Sequence, residues 1–249
     1  EPARMPCRMK LFFRAVALVG WLLVIFPSAH ASPDDLPVSP FRARYEVYGS
    51  GLSIGEAVMI LAATGPSQYQ MSSEVRPNGL AALLISGRID EKVNGEIRDG
   101  VVRPTRYDRL VETPRKKQTV QLRFDWSANQ IQARDNQEQV NLPLSPGVMD
   151  PLSLNLRVMW DLQRGHTPGQ YALVDETELK TYQVKNEGGE DLNTSLGKLR
   201  TVRISQSKPG KTRITTFWFA TDLHYLPVRV AQEKDGKELL RMEIRAVER

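Results

Sequence analysis

The sequence predicts a mainly β protein, built as a strongly curved antiparallel sheet or open β-barrel with one buried helix, at about 150–164, on the concave side. Two observations predict the sheet. Apolar and polar residues alternate in successive segments from residue 41 to residue 247, and short turns, many containing glycine, separate these segments. A third observation predicts the helix, because only one long segment after the N-terminus has helical periodicity.

The first two strands are predicted at 41–48 and 52–64, where alternation leaves one face polar. Within the second strand, Gly55 is predicted to mark a bulge or a close approach of another backbone. The pair Gly188-Gly189 is predicted to end a strand that begins at Leu179. The other predicted strands lie near 69–75, 88–97, 105–111, 120–126, 131–133, 140–142, 171–174, 199–205, 212–219, 225–232 and 238–247.

The predicted helix has clear start and stop signals. Asp150 suits the N-cap, Pro151 suits the first helical position, and Gly165 suits the C-terminal stop. Apolar side chains cover most of its circumference, which predicts a helix that is buried on most sides.

The N-terminus is typical of a targeting signal. A basic start precedes an apolar run of about 12 residues, which is shorter than the roughly 20 that a membrane span needs. Ala29 and Ala31 then give a small-x-small cleavage pattern, so residues 1–31 are predicted to be a cleaved secretory signal peptide. A Pro-rich linker at 32–40 and a single β-rich domain at 41–249 are expected to follow, with no transmembrane span after cleavage.

Composition and spacing argue against several kinds of chemistry. The formal net charge is +5, but residues 1–31 contribute +3 of it, so the remaining chain gives no case for nucleic-acid binding. The single cysteine, Cys7, lies in the predicted signal, which leaves no disulfide. His166 and His224 lack the spacing of metal ligands, and Ser153 lies outside any nucleophile-elbow motif. No metal, cofactor or catalytic residue is therefore predicted.

Five stretches carry a resemblance to a known family: Tyr45 with Gly49–Glu56 (GSGLSIGE), Val101–Tyr107 (VVRPTRY), Val148–Leu154 (VMDPLSL), Leu196–Thr201 (LGKLRT) and Trp218–Gly236 (WFATDLHYLPVRVAQEKDG). Together they resemble the exported bacterial family known as domain of unknown function 3108. That resemblance implies a periplasmic protein of a Gram-negative bacterium, rich in antiparallel strands. It implies no activity and no site residues.

Two groups of side chains are candidate binding residues. The apolar residues exceed what a sheet with one wet face needs, so a pocket for a lipophilic ligand is predicted between sheet and helix, although a plain core is the simpler interpretation. Its expected lining is Leu80, Leu83, Leu84, Leu152, Leu156, Met159, Trp160 and Trp218. A basic segment is expected to contact anionic groups through Arg103, Arg106, Arg109, Arg115, Lys116 and Lys117.

These features favour a non-enzymatic periplasmic binding or carrier protein for a lipophilic or envelope-derived ligand. One alternative is a structural or assembly factor of the cell envelope that binds a protein partner. Another is a hydrolase of envelope polymers that uses carboxylates such as Asp150 or Asp175. The simpler interpretation of the acidic residues from Asp175 to Glu178 is a solvated hairpin turn.

Overall fold

The structure, a computed structural model, describes residues 36–79, 87–167 and 169–249, which form strands joined mainly by short turns and one α-helix. The first eight strands are β1 (Phe41–Gly49), β2 (Leu52–Gly65), β3 (Gln68–Pro77), β4 (Arg88–Arg98), β5 (Val101–Thr113), β6 (Lys116–Asp125), β7 (Gln130–Asp135) and β8 (Glu138–Pro143). Then follow β9 (Val148–Met149), α1 (Pro151–Gln163), β10 (Gln170–Asp175), β11 (Glu178–Thr194), β12 (Gly197–Ser207), β13 (Arg213–Ala220), a 3-10 helix (Thr221–Leu223), β14 (Leu226–Lys234) and β15 (Lys237–Glu248).

All fifteen described strands belong to one sheet, in the order β8-β7-β6-β5-β4-β3-β2-β1-β15-β14-β13-β12-β11-β10-β9. Neighbouring strands are antiparallel except β9 and β10, because α1 connects these two. The first and last strands pair near the middle of the sheet, with Ala43 opposite Val247. The predicted fold class is confirmed: a mainly β chain forms a large, curved, unclosed sheet with one helix.

Side chains, not backbone ladders, join the two halves of the sheet. Glu176, in the turn between β10 and β11, accepts hydrogen bonds from Gln118 Nε2 on β6 at 2.9 Å and from Arg109 Nη2 on β5 at 3.3 Å. Thr177 Oγ1 donates to Glu138 Oε1 on the edge strand β8 at 3.1 Å. The sheet therefore curls until its distant strands meet, and it leaves an open seam at β8 and β9.

Helix α1 begins and ends where the sequence predicts, and both ends are fixed to the sheet. The Asp150 carboxylate accepts hydrogen bonds from the backbone N–H groups of Leu152 (2.9 Å) and Ser153 (3.0 Å), as an N-cap does. The Ser153 and Tyr69 hydroxyls are hydrogen-bonded at 2.7 Å. Near the other end, the Tyr171 hydroxyl donates to Asp161 at 3.1 Å. The helix is 13 residues long, and no described helix is long and apolar enough to cross a membrane.

One predicted strand end is wrong. Strand β11 continues through Gly188-Gly189 to Thr194 and pairs with β12 on both sides of that point. The pairing register shifts between Asn186 and Gly188, Gly188 has a φ of +94°, and its N–H donates to the Asn186 side chain at 2.9 Å. Glycine here permits a β-bulge inside the strand instead of ending it.

The predicted N-terminal segments lie largely outside the described residues. The expected signal peptide, 1–31, falls there entirely. In the described part of the expected linker, Val38 is buried and Leu36 packs against the core.

Gly55 on β2 is a close-approach site, as predicted. A Cβ atom at this position would lie 2.4 Å from the backbone oxygen of Arg76 and 3.3 Å from Pro77 Cα on the paired strand β3. Backbone cannot move aside as a flexible side chain can, so we expect Gly55→Ala to lower the free energy of unfolding by about 2 kcal/mol. Urea denaturation measures this change.

Gly189→Ala is the matched control, because it also lies within a strand and its added Cβ would meet nothing closer than 3.8 Å. Equal losses of stability in the two variants would contradict the steric explanation.

Candidate functional site

Two adjoining cavities lie where the N-terminal half of α1 faces the sheet. The inner cavity has a volume of about 340 Å³ and the outer cavity about 570 Å³. Pro151, Leu173, Gln206 and Gln232 line both, so they form one continuous space, which we call the cleft. Each volume lies within the range of about 300–1,000 Å³ that is usual for small-molecule sites.

The inner cavity is mainly apolar. The side chains that line it include Leu154, Val158, Leu173, Val184, Ile204, Phe217 and Phe219. Phe217 and Phe219 stack with ring centroids 5.7 Å apart. From the helix come residues 151, 154, 155 and 158, whose spacing places them on one face of α1. That face supplies one wall of the cavity, and strands β10 to β13 supply most of the other.

One acidic side chain lines this apolar space. Glu91, on β4, accepts a hydrogen bond from the Tyr107 hydroxyl at 2.5 Å. Burial raises the pKa of Glu91, although the Tyr107 hydrogen bond and the positive charge of Arg109 partly offset the effect. The carboxyl is thus a polar point in an otherwise hydrocarbon wall.

The outer cavity is strongly cationic. Its charged lining side chains are one carboxylate, Asp175, and five bases, Arg109, Lys208, Lys211, Arg213 and Lys234. Charges of one sign around a concave opening reinforce each other's field and attract ligands of the opposite sign.

The single carboxylate of the outer cavity is already neutralised. Oxygens of Asp175 lie 3.1 Å from Lys180 Nζ, 3.4 Å from Lys208 Nζ and 3.6 Å from Arg109 Nη1. Burial would raise the pKa of Asp175, but the hydrogen bond from Lys180 and the surrounding positive charges outweigh this and lower it. Asp175 therefore stays ionised and leaves the remaining bases without an internal counter-ion.

Polarity changes in steps along three neighbouring strands of the cleft. Cross-strand neighbours on β12, β13 and β14 form rows that run, from the inner to the outer cavity, Ile204–Phe217–Val230, Gln206–Thr215–Gln232 and Arg213–Lys234. The first row is apolar, the second neutral and polar, and the third cationic. Arg213, Lys234 and the nearby Lys211 are exposed and form no ion pair with any residue in 36–79, 87–167 or 169–249.

The predicted pocket residues lie elsewhere. Leu152, Leu156 and Met159 are buried in the core on other faces of α1 and do not line the cleft. The ring of Trp160 stacks under the Arg164 guanidinium at 4.4 Å. Trp218 Nε1 donates to Glu190 at 3.0 Å, and Arg229 lies over its ring. Leu80, Leu83 and Leu84 fall outside the described residues. As ligand contacts these eight residues stay a prediction.

Of the predicted basic segment, only Arg109 reaches the cleft. Arg103 stacks on Trp126 at 5.3 Å, and Arg106 pairs with Asp108 at 2.7 Å. Arg115, Lys116 and Lys117 are exposed at the turn between β5 and β6. Contact of this segment with an anionic surface also stays a prediction.

The sequence analysis did not identify the cationic residues Lys208, Lys211, Arg213 and Lys234, although a signal for them exists. Every second residue in Ile204–Lys208 and in Val230–Lys234 runs from apolar through amide to cationic. Residues 219, 217, 215 and 213 show the same order in reverse. Reading this signal requires the register of the hairpins, which places the three cationic ends together.

The other candidate residues give no catalytic arrangement. Asp150 is fully buried as the helix cap, and Ser153 is buried against Tyr69. His166 and His224 are exposed in loops. Asp175 and Glu176, interpreted above as a solvated turn, instead bind bases and Gln118 across the seam. No group of three or more His, Cys, Asp or Glu residues in the described ranges is placed to hold a metal ion.

Fold and site together define a class: an open β-barrel-like protein with a helix along a ligand-sized cleft. The chain belongs to the family described as Protein of unknown function (DUF3108), whose model matches residues 44–245. The resemblance noted in the sequence is thereby confirmed. Its most specific segment, VMDPLSL, is the one that caps α1 and ties it to Tyr69.

Solved structures share the architecture at low sequence identity. A β-barrel-like protein of domain of unknown function DUF1849 from Brucella abortus is 11% identical, with a TM-score of 0.55, and the match covers 85% of this chain and 98% of that one. A candidate lipoprotein from Parabacteroides distasonis is 9% identical, with a TM-score of 0.36 and coverage of 85% and 96%. A candidate exported protein with a YmcC-like fold from Bacteroides fragilis is 10% identical, with a TM-score of 0.31 and coverage of 84% and 95%. No curated protein matches the chain.

Proposed function

We propose that this protein is a non-enzymatic periplasmic binding or carrier protein for a lipophilic ligand, which it holds in the cleft. One observation carries the proposal: an inner cavity of about 340 Å³ lined mainly by hydrocarbon side chains and open to a polar outer cavity. The signal-like residues 1–31 support export to the periplasm.

The physical reason is the cost of leaving such a cavity filled with water. Water next to Val158, Ile204 and Phe217 finds few hydrogen-bond partners there, so an apolar group that replaces it gains about 25 cal/mol for each Å² of surface removed from water. The chain is continuous with a wet opening, which allows the ligand to enter without unfolding of the sheet.

Asn155→Trp tests the proposal. Asn155 is half-buried on the cavity-facing side of α1, and its side chain bonds only the Pro151 carbonyl, at 3.1 Å. An indole at this position would occupy much of the inner cavity, so we expect binding of N-phenyl-1-naphthylamine, a neutral apolar fluorophore, to weaken by more than about tenfold. A fluorescence titration measures the affinity, and circular dichroism during heating checks that the variant is folded.

The control is Gln163→Trp, on the same helix. Gln163 is also a half-buried amide with one bond to a carbonyl, that of His224 at 3.1 Å, but it does not line the cleft. We expect this variant to bind the fluorophore as the wild type does. Unchanged binding in a folded Asn155→Trp protein would refute the assignment of the ligand to the cleft.

A further inference from the structure

We infer that the ligand is a single-chain amphiphile with an anionic head, a phosphate or a carboxylate, which binds between Arg213 and Lys234 in the outer cavity. This inference rests on the proposed function, since it takes the inner cavity as the site of the hydrocarbon chain. It adds the charge of the ligand and its orientation in the cleft.

The arrangement of Arg213 and Lys234 is the first argument. The two residues are direct cross-strand partners on β13 and β14, and Lys237 on β15 is in turn the partner of Lys234. Like charges directly opposite each other destabilise a sheet. An anion between Arg213 and Lys234 would turn this repulsion into two charge-assisted hydrogen bonds.

The number of bases is the second argument. Five bases and one carboxylate line the outer cavity, and that carboxylate, Asp175, is already held by Lys180, Lys208 and Arg109. An anion of one or two charges would therefore be attracted there, whereas a cationic head would be repelled.

The polarity gradient is the third argument, and it fixes the orientation. An apolar row, a row of amide and hydroxyl groups, and a cationic row follow one another outwards on the same strands. A chain, a polar linkage and an anionic head would each meet the matching row. The inner cavity of about 340 Å³ has the volume of about eleven water molecules at roughly 30 Å³ each, and a methylene group is of similar size, which corresponds to a chain of about ten carbons.

Calorimetric titration tests the inference with decyl phosphate, decanoate and decanol, all below the concentration at which they aggregate. We expect the wild type to bind the two anions about tenfold more tightly than decanol. In the double variant Arg213→Gln/Lys234→Gln, this preference should fall to near unity while decanol binds as before. The control is Lys92→Gln/Arg123→Gln, which removes the same charge from two exposed positions that do not line the cleft.

The outcomes separate the two proposals. Equal binding of decanol and the anions by the wild type, or an anion preference that survives in Arg213→Gln/Lys234→Gln, would overturn the inference and leave the proposed function standing. Inorganic phosphate that competes as well as decyl phosphate would reveal a free-anion site, and binding only to vesicles of phosphatidylglycerol would reveal a membrane-contact surface; either would also overturn it. Failure of all three decyl ligands to bind would overturn the proposed function itself.

Discussion

Replacing Asp161 with alanine is expected to lower the free energy of unfolding by about 3 kcal/mol. The Asp161 side chain is 1% exposed and accepts hydrogen bonds from Arg157 Nε at 2.7 Å, Arg164 Nη2 at 2.7 Å and the Tyr171 hydroxyl at 3.1 Å. Its removal would leave these three donors without their acceptor in a partly buried setting. Loss of one partner from a buried ion pair costs about 3–5 kcal/mol, and the partial exposure of both arginines places this case at the lower end.

Urea denaturation measures the loss, with Asp222→Ala as the control. Asp222 also pairs with an arginine, Arg200, at 2.6 Å, but both side chains are largely exposed, so its removal should cost less than about 1 kcal/mol. Because Asp161 ties the end of α1 to β10, the Asp161→Ala protein should also bind apolar ligands more weakly. A cost for Asp161→Ala no larger than that for Asp222→Ala would show that the buried cluster does not anchor the helix.

Stability is expected to fall as the pH rises from about 4 to about 6, and Asp150 to account for about 3 kcal/mol of that fall. Burial raises the pKa of Asp150 from its ordinary value of 3.8 to about 6, against the opposing effect of the hydrogen bonds that it accepts. Between these two values the folded protein holds a proton that the unfolded chain has released. Raising the pH therefore favours unfolding, at about 1.4 kcal/mol per pH unit across this window.

Asp150→Asn isolates this contribution. An asparagine oxygen can accept the same two backbone N–H bonds at the helix start, but the side chain does not titrate. We therefore expect the stability of the variant, relative to wild type, to increase by about 3 kcal/mol between pH 4 and pH 7. Other titrating groups, such as Glu91, act alike in both proteins and cancel in the difference. A difference that does not change with pH would contradict the assignment to Asp150.

The fold could be predicted to a large extent because the sheet and the helix leave local signals. Alternation along β1 or β6 reports one buried face, and the cap of α1 is written in the consecutive residues Asp150 and Pro151. The bulge at Gly188 was misjudged for a local reason as well, since a glycine pair within a strand has the same composition as a turn. Strand β9, with two residues, is too short to show any period.

The cleft could not be predicted in the same way, because it depends on contacts distant in sequence. The most apolar residues of α1, such as Leu156 and Met159, suggested a pocket, but the most apolar positions are the ones that a core takes first. The cavity instead uses the less apolar face with Asn155 and Val158. Its cationic opening requires the pairing of Arg213 with Lys234, which the register of β13 and β14 decides.

Native mass spectrometry of the protein, purified gently from a periplasmic extract, tests the proposed ligand most directly. Denaturation would then release any bound molecule for identification. We expect one molecule per chain, with a single hydrocarbon chain and a phosphate or carboxylate head, and we expect it to be absent from the Asn155→Trp protein. A clean mass of the unliganded chain, from wild-type protein that also fails to bind decyl phosphate afterwards, would contradict the proposal and leave the inner cavity as an incompletely packed part of the core.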